Sequence, residues 1–354
     1  MQPMRFALIG CSKIALKHAS ALRDMSEATL AAVCDLQTDR AKSLGSEFGV
    51  PWFTNYEEML YKTEVDVIVV LTPSGDHYSR VLDLVRFKKH IVVEKPLALR
   101  IEDADRMIAA CDRRGVKLFE VKQNRFNVPI RRLHECVEAG RFGKLVLGSV
   151  RVRWCRPQEY YDAAAWRGTW AQDGGVLTNQ AIHHIDMLKW MMGEVESVQA
   201  MTGTRLARIE AEDTGVAILR FKNGALGVIE ATTATRPRDL EGSLSILGEH
   251  GSVEIGGFAM DRITHWEFKP ETPDDKVTRD EHATNPSAFA YSHGQFLKDV
   301  VSSIRNNRKG AVDGIEARAT LELINAIYES HETGRQVRLR FAPQHCKLGV
   351  ASHE

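Results

Sequence analysis

Short apolar runs alternate with helix-spaced apolar positions through the first third of the chain. The runs predict strands at residues 5–9, 29–34, 65–71, 90–93 and 116–121. The segments between them predict helices at residues 14–25, 38–48, 75–87 and 101–114. The run at 65–71 is apolar nearly throughout, as expected for a strand covered on both sheet faces. Strands that alternate with helices favour right-handed crossovers and a parallel sheet.

The pattern changes after about residue 125, where strand-like alternation becomes common. Predicted strands lie at residues 144–154, 216–221, 225–231, 243–247 and 336–341, and predicted helices at 130–139, 180–191, 292–306 and 314–333. Asn223-Gly224, between two of these strands, is a strong hairpin signal. Strand runs separated from helices favour an α+β domain with a largely antiparallel sheet. We therefore predict an α/β chain with domains at 1–124 and 125–354, and a loosely ordered tail after Phe341.

Composition narrows the functional class. The chain has 47 basic and 47 acidic side chains, so the basic excess of a nucleic-acid-binding protein is missing. Its six cysteines form no C-x-x-C pair, which favours reduced thiols and offers no spacing for a metal site. No apolar run approaches the ~20 residues of a membrane span, and the N-terminal residues lack the apolar core of a signal peptide. We expect a cytoplasmic protein with no metal, no membrane contact and a small-molecule substrate.

The turn after the first predicted strand follows the pattern of a dinucleotide-binding loop. Residues 10–15 read G-x-G-x-x-A with Ser12 at the second glycine. In such loops the first glycine makes a tight turn, and the following helix offers free N–H groups to a pyrophosphate. The alternative is an ordinary turn between a strand and a helix. The expected cofactor contacts in this turn are Gly10, Ser12, Lys13 and Ile14.

An acidic residue ends the second predicted strand. Asp35 lies about 20 residues beyond the turn, where a carboxylate binds the ribose hydroxyls of NAD. A carboxylate there repels a 2′-phosphate, and neither Leu36 nor Gln37 supplies a cation. We therefore expect NAD rather than NADP. The alternative for Asp35 is a turn or capping residue.

Two further motifs follow predicted parallel strands, at the sheet edge where open α/β sheets bind ligands. They supply further expected cofactor contacts: Thr72, Pro73, Ser74 and His77 after the third strand, and Glu94 and Lys95, followed by Pro96, after the fourth. A partly desolvated Lys95 can donate a hydrogen bond to a substrate hydroxyl, or have its pKa lowered toward catalytic use. The alternative is an exposed lysine paired with Glu94.

Together these motifs resemble the Gfo/Idh/MocA family of sugar oxidoreductases. The matching residues are the turn at 10–15, Thr72-Pro73-Ser74, His77, Glu94-Lys95-Pro96, Trp166-Arg167, Gly174-Gly175, His183 and Asp186. The resemblance covers nearly the whole chain. It implies a Rossmann domain followed by a domain with an open sheet that often mediates homodimers or homotetramers. It also implies NAD(P)-dependent oxidation or reduction at a sugar carbon, with Trp166 and Arg167 near the nicotinamide. Gln123, which follows the predicted strand at 116–121, is a further expected cofactor contact.

One catalytic position departs from the family pattern D-x-x-x-H. The chain has Asn179 where the family has aspartate, and it keeps His183. An amide can hydrogen-bond a hydroxyl but cannot take a proton at neutral pH. We therefore expect His183 to act as the base, while Lys95 polarises the same hydroxyl. His184 points about 100° away on a helix and is expected to be structural.

Residues 153–162 and 166–180 are most similar to a subgroup that oxidises UDP-N-acetylglucosaminuronate at C3 for bacterial surface polysaccharides. That subgroup also carries asparagine at the position of Asn179. Such a substrate has a diphosphate and a carboxylate, which arginine binds well. Arg156 and Tyr160 are the main candidates for substrate binding, and the weaker candidates are Arg153, Arg236 and Arg238. The expected partners are a UDP-sugar and a 2-oxo acid, 2-oxoglutarate, as a second substrate.

Other functions remain open at this point. An inositol- or glucose-type dehydrogenase of the same family would use the same motifs on a different sugar or polyol. A non-catalytic NAD-sensing regulator would share the fold, but intact Lys95 and His183 argue against it. A purely structural module has no specific sequence feature in its favour.

Overall fold

The computed structural model describes residues 2–284 and 288–351, and the side chains of 288–290 are not described. The chain divides into two compact units. The first contains Met1–Gln123 and Phe289–Arg318, and the second contains Asn124–Ala288 and Ala319–Glu354. Residues 289–318, which the sequence pattern places in the second domain, thus belong to the first unit.

The first unit is built on a six-stranded parallel sheet with the strand order β3-β2-β1-β4-β5-β6. Its strands are β1 Met4–Ile9, β2 Ala28–Cys34, β3 Trp52–Phe53, β4 Val67–Val70, β5 His90–Val93 and β6 Leu118–Glu120. Its helices are α1 Lys13–Arg23, α2 Thr38–Phe48, α3 Tyr56–Lys62, α4 His77–Leu84 and α5 Ile101–Arg113. Strand β4 is buried along its whole length, as its continuous apolar run predicts. The prediction of a parallel sheet is confirmed; β3 and α3 were not predicted.

Backbone and side-chain contacts explain why residues 289–318 belong to the first unit. The Glu120 N–H donates to the Val312 carbonyl at 3.2 Å, beside an isolated bridge between Phe119 and Asp313. The Lys117 ammonium donates to the Arg308 carbonyl at 3.0 Å. The returning segment therefore extends the edge of the parallel sheet at β6.

The second unit is built on an eight-stranded sheet with the strand order β13-β12-β11-β7-β10-β9-β8-β14. Its strands are β7 Leu145–Arg153, β8 Val195–Gly203, β9 Thr214–Phe221, β10 Leu226–Thr232, β11 Glu241–Gly248, β12 Gly251–Gly256, β13 Arg262–Phe268 and β14 Val337–Arg338. Only β7 and β10 pair in parallel among these strands; the other neighbours are antiparallel. This confirms the largely antiparallel sheet.

Six further helices complete the described part of the chain, and one of them, α10, belongs almost entirely to the first unit. They are α6 Val128–Glu138, α7 Gln158–Asp162, α8 Ile182–Met192, α9 Pro273–Glu281, α10 Ala288–Arg305 and α11 Gly314–Thr333. Within the ranges 2–284 and 288–351, no helix combines the length and apolar character needed to cross a bilayer.

Local signals decide several details of the second unit. The hairpin at Asn223-Gly224 is confirmed: Gly224 has φ +88°, and the Phe221 N–H donates to the Ala225 carbonyl. The predicted final strand at 336–341 shortens to Val337–Arg338, because Arg340 adopts a left-handed φ of +63° that ends the extended backbone. Residues 342–351, within the tail that was predicted to be loosely ordered, are folded against the chain, since Leu348 is 1% exposed.

A π-helical turn precedes α8. Val176–Gln180 forms this turn, and α8 begins at Ile182. The helix predicted from residue 180 therefore begins at Ile182, and a wider turn that contains Asn179 precedes it. Because π-turns recur at functional sites, this segment is a candidate part of the active site.

Candidate active site

The turn at residues 10–15 has the geometry of a nucleotide-binding loop. Gly10 has φ +101°, and a Cβ at this position would lie 2.6 Å from the Leu71 carbonyl oxygen, so no other residue fits without distortion. Ser12 caps α1 with extended backbone and makes no side-chain capping bond. Its hydroxyl and the first N–H groups of α1 are consequently available to a phosphate.

Asp35 closes the turn from the neighbouring strand. Its carboxylate accepts the Cys11 N–H at 2.7 Å and the Gln37 N–H at 2.8 Å. The two contacts fix the orientation of the carboxylate beside the turn, where the sequence places the ribose. The exposed Leu36 next to it leaves the approach open.

Unpaired polar atoms mark the carboxyl ends of the parallel strands. Thr72 Oγ1, after β4, and Gln123 Oε1, after β6, are buried and have no hydrogen-bond partner within the described part of the chain. A buried polar atom without a partner costs free energy unless a ligand pairs with it. Together with the turn at 10–15 and Asp35, these atoms fit a bound dinucleotide, whose polar groups would supply the missing hydrogen bonds.

The buried carboxylate of Glu94 fixes the backbone at Lys95. Glu94 Oε2 accepts the Lys95 N–H at 3.1 Å, and its Oε1 lies 3.0 Å from Nε2 of the buried His18. Burial acts to raise the pKa of Glu94, but the hydrogen bond and charge of His18 and the charge of Lys95 outweigh burial and lower it to about 2. Glu94 is therefore a fixed anion beside Lys95. The side chain of Lys95 is half-buried, and its peptide bond to Pro96 is cis.

Two further buried groups fix the same segment on its other side. His77 Nδ1 lies 2.7 Å from the Pro96 carbonyl, and Nε2 lies 3.0 Å from the Thr72 carbonyl. Burial lowers the pKa of His77, while the two carbonyls oppose that shift. His77 thus holds the Thr72 and Pro96 segments together, and its predicted contact with the cofactor stays a prediction.

Glu120 and Lys122 were missed by sequence reasoning. Glu120 Oε1 accepts the Leu97 N–H at 2.9 Å, and its Oε2 lies 3.3 Å from the Lys122 ammonium. Both side chains are 1% exposed. A lysine at the end of a buried strand, two residues after a glutamate, was the available signal.

A third side chain lies near the Glu94–His18 pair. The ligand atoms of His18, Glu94 and His293 are within 4.8 Å of one another, close enough to surround a cation. The His18–Glu94 contact at 3.0 Å is hydrogen-bond distance, and the rings of His18 and His293 meet edge to face at 5.2 Å. The direct hydrogen bond accounts for the contact between His18 and Glu94.

In the second unit, Asn179 is held by two neighbours. Its Nδ2 donates to Asp173 Oδ1, and its Oδ1 accepts from Gln180 Nε2 at 2.6 Å. Asp173 is 2% exposed and also accepts the Gly168 N–H at 2.8 Å. Position 179 has no carboxylate, but Asp173 places one in direct hydrogen-bond contact with the Asn179 amide. Sequence reasoning missed both Asp173 and Gln180.

Gln180 connects Asn179 to the predicted substrate residues. Its Nε2 donates to the Tyr160 hydroxyl at 2.9 Å, and its Oε1 accepts from Arg156 Nε at 3.2 Å. Arg156 Nη1 donates to Asp239 Oδ1 at 3.1 Å. The structure thus brings Arg156, Tyr160 and Asn179 into one hydrogen-bonded network.

Aromatic rings surround the Arg156 guanidinium. Its Cζ lies 5.2 Å from the Trp154 ring, 5.6 Å from the Tyr160 ring and 5.9 Å from the Phe258 ring. Such rings attract a cation and hold it in place. No bond from Nη2 occurs within the described residues, so this fork of the guanidinium can meet an anion.

Trp166 and Arg167 join the same network. Arg167 Nη1 donates to the Tyr160 carbonyl at 2.6 Å, and its Cζ lies 4.3 Å from the Tyr160 ring. The Trp166 ring lies 5.5 Å from the same guanidinium. Their predicted contact with nicotinamide stays a prediction.

A buried carboxyl anchors the π-turn that carries Asn179. Glu212 Oε1 accepts the Leu177 N–H and the Tyr328 hydroxyl, each at 2.9 Å, and Tyr328 also contacts Thr178 Oγ1 at 2.8 Å. Burial raises the pKa of Glu212 to about 7. Sequence reasoning missed this anchor, because nothing local distinguishes Glu212 from a surface glutamate.

The two histidines of α8 differ sharply in environment. His183 is half-buried in the first turn. His184 is fully buried against Trp154, and burial lowers its pKa to about 3, so it is neutral and structural as expected. Asp186, one turn on, accepts both Nε at 2.6 Å and Nη2 at 2.8 Å from buried Arg125 and steadies the helix.

The weaker arginine candidates lie elsewhere or have other partners. Arg153 pairs with Glu230 and Glu241 on the sheet. Arg236 donates to backbone carbonyls, including the Arg156 carbonyl at 3.2 Å. Arg153 is therefore already paired with two carboxylates, and Arg236 with backbone carbonyls.

Comparisons with known proteins agree with this geometry. The family model described as "Oxidoreductase family, NAD-binding Rossmann fold" matches residues 4–122, and the model described as "Oxidoreductase family, C-terminal alpha/beta domain" matches residues 134–339. Both models belong to Gfo/Idh/MocA. Together they cover most of the chain.

Individual relatives point to sugar and polyol oxidation. The WlbA dehydrogenase of Bordetella pertussis, solved with NADH and UDP-GlcNAcA, is 41% identical over 96% of this chain and 99% of its own, with a TM-score of 0.92. The WlbA dehydrogenase of Chromobacterium violaceum, solved with the same ligands, is 40% identical over 96% of each chain, with a TM-score of 0.89. Myo-inositol 2-dehydrogenase of Thermotoga maritima is 29% identical over 95% of this chain and 98% of its own. The chain is therefore a member of the Gfo/Idh/MocA oxidoreductase family, an NAD-dependent dehydrogenase of sugars or polyols.

Proposed function

We propose that this enzyme oxidises the C3 hydroxyl of UDP-N-acetylglucosaminuronic acid to the 3-keto sugar, as a step in bacterial surface-polysaccharide synthesis. The observation that carries this proposal is the 41% identity, across nearly all of both chains, to a dehydrogenase solved with NADH and UDP-GlcNAcA. The similarity to a myo-inositol dehydrogenase is weaker, at 29%. A nucleotide sugar is therefore favoured over a free polyol.

Arg156 is the proposed anchor for an acidic group of the substrate. A uronate or diphosphate needs a cation with planar, paired donors, and a guanidinium provides them. The three surrounding rings and Gln180 hold Arg156 before substrate arrives, which reduces the entropy lost on binding. Tyr160, fixed by the same glutamine, is proposed to contact the sugar.

His183 and Lys95 are the proposed catalytic residues. His183 accepts the proton of the reacting hydroxyl, and Lys95 donates a hydrogen bond to the same oxygen as negative charge builds on it. Asn179, with its amide oriented by Asp173, contributes a neutral polar contact rather than a base. When bound, NAD supplies the hydride acceptor.

The direct test is an absorbance assay at the NADH band. With NAD and UDP-N-acetylglucosaminuronate we expect NADH to form, and with myo-inositol or glucose we expect a far smaller rate. Turnover of myo-inositol without turnover of the UDP-sugar would replace this proposal with the inositol-dehydrogenase alternative.

We also propose that 2-oxoglutarate serves as a second substrate. If the enzyme reoxidises its own NADH in this way, adding 2-oxoglutarate to the assay will suppress the NADH signal while 3-keto sugar continues to accumulate. Release of one NADH per sugar, unchanged by 2-oxoglutarate, would reject this second role.

The outer face of the eight-stranded sheet supports a homo-oligomer. Ile218 pairs with Val228, and Met201 pairs with Val216, on the same face. All four side chains are exposed: Ile218 by 59%, Val228 by 39%, Met201 by 72% and Val216 by 46%. An apolar patch of this kind usually marks an interface. We propose that a second copy of the chain covers it, in a dimer or tetramer.

A further inference from the structure

The last described residues fold back onto the second unit, although their composition predicts a loose tail. Glu329 Oε2, on α11, accepts the Gln344 N–H at 3.0 Å and the His345 N–H at 2.7 Å. The Lys347 ammonium pairs with Glu332 at 2.9 Å. Two adjacent backbone donors on one carboxylate fix the tail against the helix.

The tail then reaches the segment that precedes Asn179. Leu348 is 1% exposed, although it lies seven residues beyond the apparent end of the fold at Phe341. Its Cδ1 lies so close to Gly174 that a Cβ there would approach it to 2.8 Å. The Gly349 N–H donates to the Trp170 carbonyl at 2.7 Å. One apolar contact and one hydrogen bond therefore clamp residues 170–174.

The clamped segment contains the group that orients Asn179. Asp173 lies between the two clamp points, Trp170 and Gly174, and accepts from the Asn179 amide. Gly174 also lies against Thr178, the residue before Asn179. A shift of this segment would move Asp173, and with it the amide of Asn179 and its partner Gln180.

We propose that Leu348 is a positioning residue for the substrate site: the C-terminal tail locks residues 170–174 and so fixes the Asp173–Asn179 pair. The proposal rests on the proposed function to the extent that Asn179 and its network are taken to face the sugar. Leu348 itself touches neither substrate nor cofactor in this account. The tail is then part of the active site's support rather than a disposable extension.

The test compares two apolar truncations on the same tail. Leu348→Ala removes the apolar contact of the clamp and leaves its backbone hydrogen bond, and Val350→Ala, at a side chain that is 44% exposed, is the matched control. We expect Leu348→Ala to lower kcat/KM for the UDP-sugar by roughly 10- to 100-fold, the scale of a small misplacement of catalytic groups. KM for NAD should stay within about twofold, because the dinucleotide turn belongs to the first unit. Leu348→Met, which keeps the apolar volume, should restore activity.

Hydrogen–deuterium exchange supplies a readout that needs no substrate. In Leu348→Ala, peptides covering residues 168–180 should exchange faster than in wild type, while peptides covering residues 4–15 should not change. This measurement stands even if the enzyme proves to oxidise another sugar, so the two proposals can fail separately. Should Leu348→Ala not fold, Leu348→Val takes its place, with a smaller change of the same sign.

Three results would overturn the proposal. The first is a Val350→Ala variant that matches Leu348→Ala in both kcat/KM and exchange. The second is a loss of activity in Leu348→Ala accompanied by an equal loss of NAD affinity, which indicates general destabilisation. The third is a folded Leu348→Ala variant in which residues 168–180 exchange at the wild-type rate.

Discussion

Glu94 and Asp173 are buried carboxylates that each hold a site residue by one hydrogen bond. Glu94 accepts the Lys95 N–H, and Asp173 accepts from the Asn179 amide. Each therefore fixes the position of a polar group without itself being at the proposed reacting atom. The consequences can be tested residue by residue.

Restoring the family's aspartate should impair this enzyme. Asn179→Asp removes the amide donor to Asp173 and places a second carboxylate in contact with it. Two carboxylates at that distance raise one of the pKa values and repel when both are ionised. We expect kcat for the UDP-sugar to fall at least ~10-fold, with part of the activity recovered as pH is lowered. A variant as active as wild type across pH 6–9 would contradict this account of Asn179.

Loss of the proposed acid–base groups should reduce turnover without loss of the cofactor. Lys95→Ala and His183→Ala should each lower kcat by roughly 10²–10⁴-fold, the usual contribution of a positioned acid–base group. NADH affinity, followed by fluorescence titration, should change little. Lys62→Ala, an exposed lysine on α3, is the control. Full activity in both variants would reject the assigned roles.

At the scale of elements, the π-turn depends on the charge state of Glu212. Its folded pKa of about 7 lies above the ordinary value of 4.5, because burial disfavours the carboxylate. The stability that Glu212 contributes is therefore fully present below pH 4.5 and is lost as pH rises through 7. The loss is on the order of 3 kcal/mol at alkaline pH.

Glu212→Gln should remove that pH dependence, because the amide does not titrate. We expect Tm of wild type to fall more between pH 5 and 7.5 than Tm of the variant, measured by differential scanning fluorimetry. If the two Tm profiles run parallel over this range, Glu212 is ionised throughout and the reasoning is wrong.

The loop that carries Lys95 should depend on the buried pair Glu120–Lys122. Lys122→Met removes the cation and leaves Glu120 buried without its charge partner, a strongly unfavourable state. We expect kcat to fall about 10-fold while KM for NAD is retained, since Glu120 holds Leu97, two residues after Lys95. The double variant Glu120→Gln, Lys122→Met should recover part of the loss. Arg141→Met, which breaks a distant ion pair with Asp275, controls for general destabilisation.

Regular elements were predictable because their signals are local. The helix Thr38–Phe48 and the strand His90–Val93 follow directly from apolar spacing and end where predicted. The support around the site was not predictable, because it depends on pairs far apart in the chain. Tyr328 and Glu212, 116 residues apart, meet at the π-turn, and no periodicity in either segment indicates it.

At the scale of the whole molecule, the apolar sheet face should control assembly. Ile218→Lys places a charge in the middle of the proposed interface, where burial of an unpaired ion is costly. We expect a lower mass by light scattering after size exclusion, whereas Tyr61→Lys, at an exposed site in the first unit, should leave the mass unchanged. A wild-type chain that is already monomeric at micromolar concentration would refute the interface.

The division of the chain into two units could be predicted only in part from the sequence. The boundary near residue 124 is visible as a change in apolar pattern. The return of residues 289–318 to the first unit is not, because it rests on contacts such as Lys117 with Arg308, which are 191 positions apart. Helical periodicity in that segment predicts a helix but does not say which sheet it covers.

Because residues 289–318 belong to the first unit, that unit cannot be completed on the ribosome until most of the chain has been synthesised. Residues 289–318 leave the exit tunnel only after all of 124–288 has been translated, roughly 10–30 s later than residue 123 at ordinary elongation rates. Until then the nascent nucleotide-binding region lacks the segment that extends its sheet edge at β6. Nascent chains stalled within 124–288 should therefore be poorly retained on an NAD-mimetic dye resin, and those released after residue 318 should be retained well.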